Sequence, residues 1–222
     1  MSAPLAIVRV LAVFALLFVA ASSARADDLR NVKRGEPVPA CRLPSLDSTV
    51  LDSESLKGSV VVYVCLSAEQ RRSELAAMDS QRVMGAFASD PVKLVHVTAD
   101  VVQKPYFEKF RQERNITAAL AFDADHSYFN KLGLIVFPTT VIVSKEGKLA
   151  NVISLHSGDY PRVLDAYIRH ALGTITDDEL KVRLAAQPTD NSSPKSLASA
   201  HRSLARSLRE KGQLDAAADE LK

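Results

Sequence analysis

One short run constrains the fold more than any other feature. Val60 to Cys65 reads Val-Val-Val-Tyr-Val-Cys, an unbroken apolar stretch rich in β-branched residues. It is too short for a buried helix. A strand covered on both faces carries such a run, whereas a half-solvated strand would alternate apolar with polar residues. The chain therefore needs helices above and below a central strand. Val92 to Val97 predicts a second strand and Ala119 to Phe122 a shorter one. Thr140–Val143 and Leu149–Ile153 flank Lys145-Glu146-Gly147-Lys148 and read as a hairpin.

Helical segments fall between these strands. Ser67 and Gln70 form a candidate capping box for a helix whose apolar stripe is Leu75, Met78, Val83, Met84 and Phe87. A second helix begins near Pro105 and carries Tyr106, Phe107 and Phe110. Asp123-Ala-Asp125 caps a third that reaches Leu132, with Gly133 past its end. Tyr160 to Leu172 is an amphipathic helix stopped by Gly173. Before the central strand, Asp27 to Arg34 reads as a polar lead, followed by proline-punctuated extended pieces and a turn at Asp47-Ser48. Strand–helix–strand–helix followed by a hairpin and a helix predicts an α/β/α sandwich. Its first strands are parallel and its hairpin antiparallel.

That order of elements resembles the thioredoxin-like redoxins of the TlpA type, from about Gly35 to Leu172. Gly35-x-Pro37-x-Pro39 and Leu46-Asp47 through Leu56-Lys57-Gly58 resemble the N-terminal extension of that group. Arg72-x-Glu74 resembles the residues that follow its cysteine pair. Phe122-Asp123 lies where the group has its aspartate, and Pro138-Thr139-Thr140 resembles its cis-proline motif. The resemblance implies a thioredoxin-like sandwich with an N-terminal extension. It also implies a peptide-binding edge at Pro138 and Thr139.

The departure lies where the resemblance would put chemistry. Aligned backwards from Glu74, the two cysteine positions fall on Ala68 and Arg71. Dithiol exchange needs a thiolate at the exposed helix start and a second thiol to resolve the mixed disulfide. Cys41 and Cys65 are the only cysteines. They read as two small buried residues, as a structural disulfide, or as a redox pair using Cys65 with Cys41 as resolver. Arg71 and Arg72 oppose the helix macrodipole and read as solvated side chains.

The first residues read as an export signal. Arg9 precedes the apolar stretch Val10 to Ala21, and Ala24-Arg25-Ala26 is a small-x-small cleavage site before Asp27. Removing residues 1–26 takes two arginines and no acid, so the formal charge falls from +2 to 0. Nucleic acid is not an expected partner of a neutral chain without a basic run. A bacterial periplasm is the expected location. Membrane contact is expected only through an uncleaved signal anchor. His126, His156, His170 and His201 show no metal-ligand spacing, and neither a metal nor another cofactor is expected.

Residues 174–193 read as a short helix, opened by Thr176 and Glu179, and a polar linker. From Ala198 the chain resembles a tetratricopeptide repeat at Leu204, Ala205, Leu208, Gly212, Leu214, Ala217 and Leu221. One such hairpin, spanning 194–222, cannot bury its own face. The expectation is therefore an exported, redox-inactive thioredoxin-like module. It would bind a protein partner through the C-terminal hairpin or the cis-proline edge. The rivals are a thiol-disulfide oxidoreductase or peroxidase using Cys65, and a structural module of an envelope assembly.

Overall fold

The computed structural model describes residues 29–185. The segments read above as an export signal, a polar linker and a repeat-like hairpin lie outside the described residues. β1 (Arg42–Pro44) and β2 (Val50–Asp52) form a small antiparallel ribbon. The main sheet contains β3 (Val60–Leu66), β4 (Val92–Thr98), β5 (Ala119–Phe122), β6 (Thr139–Val143) and β7 (Leu149–Ser154). Their order is β5-β4-β3-β6-β7, with β3, β4 and β5 parallel and β6 and β7 antiparallel additions. The helices are α1 (Arg71–Met84), α2 (Lys104–Glu113), α3 (Ser127–Leu132), α4 (Tyr160–Leu172) and α5 (Asp177–Leu184).

All seven residues of β3 are buried, as a two-face strand requires. Strand alternation splits them. Val60, Val62, Val64 and Leu66 face the layer holding Phe87, Phe107, Leu164 and Ile168. Val61, Tyr63 and Cys65 face the layer holding Tyr128, Phe129 and Leu132 of α3.

The structure corrects three expectations. The buried face of α1 is Ser73, Ala76, Ala77 and Ser80, whereas Leu75, Met78, Val83 and Met84 are only half-buried. Small side chains let the helix axis lie close to the sheet, so its larger residues fall on the flanks. The lead before Gly35 is not merely polar. Leu29 and Val32 are buried, and the Arg30 and Asn31 amides donate to the Gly133 and Leu132 carbonyls at 3.3 Å each. Gly133 has φ +70°, and a Cβ there would come within 2.6 Å of Arg30 Cβ, so only glycine permits this approach. The third correction concerns the start of α1. Gln70, not Ser67, is its N-cap, and no side chain caps it. At the other end of the described chain, α5 opens with the Thr176–Glu179 capping box and buries Leu180.

Candidate functional site

The carboxyl end of β3 leads through Ser67–Gln70 into α1. Register places the start of β6 beside it, since Cys65 pairs with Thr139. β4 contributes the segment just after Thr98. Three connections thus meet at one end of the sheet.

Ala68 sits in the turn before the helix rather than on it. Its amide donates to Asp100 Oδ2 at 2.6 Å, and Ser67 Oγ lies 3.4 Å from the same oxygen. Ser73 Oγ accepts the Ser67 amide at 3.1 Å and donates to Gln70 Oε1 at 2.6 Å. Glu69 adopts the left-handed conformation, φ +55°. Arg71, the first residue of α1, pairs with Glu74 at 3.0 Å and is exposed. Tyr106 of α2 donates its hydroxyl to the other Glu74 oxygen at 2.9 Å. Burial and that hydrogen bond push the phenol up to about 12.

This arrangement answers an electrostatic need. Amides ahead of a helix attract negative charge. A reactive thiolate would supply it at such a site. Here the Asp100 carboxylate does so from the neighbouring strand's connection. Sequence reasoning missed Asp100, although its place two residues beyond β4, next to β3, is the signal that could have found it. Tyr106 carries no local signal beyond that of a helix. Replacing Asp100 with alanine should cost about 1–3 kcal/mol in urea denaturation, because the half-buried Ala68 amide loses its acceptor. Asp100→Asn should recover part of that loss.

The two thiols lie elsewhere. Cys65 is wholly buried on the α3 side of the sheet, the face opposite α1. Alternation along β3 therefore aims its sulfur away from the α1 terminus. Burial pushes the Cys65 thiol far up, and the Asp123 charge adds to that. Cys41 is buried on the same face, beside the Ser53 and Tyr128 hydroxyls, with its thiol raised to about 11 chiefly by burial. Both cysteines are free thiols, not a disulfide.

The Phe137–Pro138 bond is cis. Pro138 and Thr139 are themselves buried: the Pro138 carbonyl accepts the Leu155 amide at 2.8 Å, and Thr139 Oγ1 donates to the Val136 carbonyl at 2.7 Å. The solvent-facing groups are their neighbours Ile135, Val136 and Leu155. With Leu29, Leu134 and Thr139 these line an apolar cleft of about 240 Å³.

Among the described residues, no cluster of three or more His, Cys, Asp or Glu side chains could hold a metal. His126 stands at the start of α3, and His156 and His170 pair with Asp79 and Asp177 at 2.8 Å each. His201 lies outside the described residues.

A five-stranded sheet with this order, flanked by helices on both faces and with a cis-proline opposite the start of α1, defines a thioredoxin-like redoxin fold. The AhpC/TSA family model matches residues 34–152, more than half of the chain. The chain belongs to the AhpC/TSA family. No curated protein matches it. Solved structures do. A candidate thiol:disulfide interchange protein DsbE from Chlorobium tepidum is similar at 19% identity, over 64% of this chain and 99% of that one, with a TM-score of 0.60. Another Chlorobium tepidum protein, a thiol:disulfide interchange protein of the thioredoxin family, matches at 20% identity over 64% and 99%, TM-score 0.56. The peroxidoxin BcpB from Mycobacterium tuberculosis matches at 23% identity over 64% and 96%, TM-score 0.52.

Proposed function

We propose that this chain is an exported AhpC/TSA-family module that has given up thiol chemistry and binds a protein partner. The carrying observation is the start of α1, where Ala68, Gln70 and Arg71 offer no thiol and Asp100 already occupies the Ala68 amide. The only two cysteines are buried on the other side of the sheet with raised pKa values. A protonated, enclosed thiol is neither a nucleophile nor accessible to a disulfide. Binding would use the apolar lip of Ile135, Val136 and Leu155 beside Pro138 and Thr139, where an extended segment can lie along the end of the sheet. Export rests on residues 1–26, and cleavage should leave Asp27 as the mature N-terminus, readable by N-terminal sequencing.

The test is direct. Insulin reduction and hydroperoxide consumption should equal those of a Cys41→Ser/Cys65→Ser control. A trapping reagent should label both thiols only after unfolding. Turnover that disappears with Cys65→Ser would overturn the redox-inactive reading. Residues 194–222, by their resemblance to a tetratricopeptide repeat, are assigned a second contact surface. Deleting residues 188–222 should leave the melting temperature of the remainder nearly unchanged and abolish partner capture.

A further inference from the structure

The apolar lip beside Pro138 has a charged neighbour. The lead over residues 29–34 reads Leu-Arg-Asn-Val-Lys-Arg. Leu29 and Val32 turn into the core, which leaves Arg30, Lys33 and Arg34 exposed. The lead is fastened to the end of α3, where Asn31 Nδ2 donates to the Asn130 carbonyl at 2.7 Å and the Arg30 amide bonds to Gly133. Lys131, in the last turn of that helix, is exposed as well.

None of these four cations has an ion-pair partner among the described residues. Glu36, the next acid along the chain, accepts the Lys33 amide at 2.8 Å. Without residues 1–26 the chain carries no net charge, so this concentration of one sign is local.

Arg30 stands at the cleft itself. Its backbone lies against Gly133, and Leu29 and Gly133 both line the cleft of about 240 Å³. No charged side chain lines it. A cavity of about 150 Å³ holds benzene, so this one takes a single large apolar side chain. On its outer wall Ile135 is 58% exposed, and neither its amide nor that of Val136 makes a hydrogen bond among the described residues. A small apolar guest would leave those donors and the cations unused. An extended peptide can use the cleft, the amides and the charge together.

We propose that the partner segment held at this lip is extended and acidic. One large apolar side chain fills the cleft, the segment's backbone accepts from the Ile135 and Val136 amides, and a carboxylate beside the anchor meets Arg30 and Lys131. Lys33 and Arg34 continue the same charge along the lead and favour further acids. The proposal rests on the lip being a binding surface, and it adds the sign of charge that the partner carries.

Three capped hexapeptides test it: acetyl-Glu-Ser-Leu-Phe-Ser-Glu-amide and the counterparts with both glutamates replaced by glutamine or by lysine. Charge at both ends makes the result independent of the direction in which the peptide lies. Each is titrated into the isotopically labelled full chain, and NMR shifts of the Ile135 and Val136 amides report binding. The full chain includes Asp27 and Asp28, so any charge they set against Arg30 is counted in the result. The acidic peptide should bind about three- to tenfold more tightly than the neutral one, the worth of one or two exposed ion pairs, and the basic one more weakly still. In Arg30→Gln/Lys131→Gln the ratio of acidic to neutral affinity should fall to near one. Both side chains are exposed and unpaired, so the variant should fold, and a thermal melt checks this. On the unaltered chain, about 1 M sodium chloride should shrink the same ratio, because it screens exposed charges. Equal affinity for the three peptides, or a ratio unchanged in the double variant, would overturn the acidic assignment and leave the lip as a binding surface. Shifts from none of the three at millimolar concentration would overturn the lip reading itself, and this proposal with it.

Discussion

Acidification from pH 7 to pH 4.5 should cost this protein about 2–3 kcal/mol of stability through His96 alone. His96 of β4 is 1% exposed, and its Nε2 lies 3.2 Å from Ser80 Oγ of α1. Ser80 Oγ also lies 3.1 Å from the Ala77 carbonyl, so the neutral imidazole has a polar partner inside the core. Burial, aided by the nearby Arg111 charge, lowers the imidazole to about 3. The unfolded chain binds a proton near 6.5 and the folded one does not. The unfolded state is therefore favoured as pH falls below about 6.5, and the loss ends near 3, where the folded imidazole also protonates. Urea denaturation at both pH values, on wild type and His96→Gln, isolates the effect from that of the carboxylates. The wild-type loss should exceed that of the variant by about 2–3 kcal/mol. Equal losses would show that His96 protonates without cost.

Asp123→Ala should destabilise the fold by about 3 kcal/mol, read from equilibrium unfolding. Asp123 is wholly buried and accepts the Tyr128 amide at 3.0 Å and the Phe129 amide at 2.8 Å, one on each carboxylate oxygen. Its own amide donates to the Thr98 carbonyl at 2.8 Å, fixing it to the end of β4. Truncation leaves two buried N–H groups unpaired, each worth roughly 1–3 kcal/mol. The helix they begin carries Tyr128, Phe129 and Leu132 into the core. Asp123→Asn keeps one acceptor and should lose about half as much. A loss below about 1 kcal/mol for alanine would mean that α3 is held by packing alone.

The Asp123 cap was legible in the chain because its signals are local: an acid after an apolar run, then a helix ending at Gly133. The strands were legible for a similar reason. Val60–Leu66 and Thr139–Val143 are short, apolar and β-branched, and such runs fit a sheet covered on both faces. The buried face of α1 was not legible. Serine and alanine give no apolar signal, yet Ser73, Ala76, Ala77 and Ser80 are what lets that helix lie close to the sheet. Leu29 and Val32 were hidden in a polar lead, and only contact with Gly133 explains their burial.

The sequence by itself determined that no cysteine stands between Ser67 and Glu74 and that Cys41 and Cys65 are the only thiols. Composition decides which chemistry is available, and it needs no coordinates. Only the tertiary structure decided where those two thiols point and which group the Ala68 amide meets. The face that Cys65 occupies follows from strand register. The bond from Ala68 to Asp100 joins residues 32 apart in the chain, and Tyr106 reaches Glu74 over the same separation. Such pairings depend on β3 and β4 lying side by side, and no local pattern in either segment encodes them.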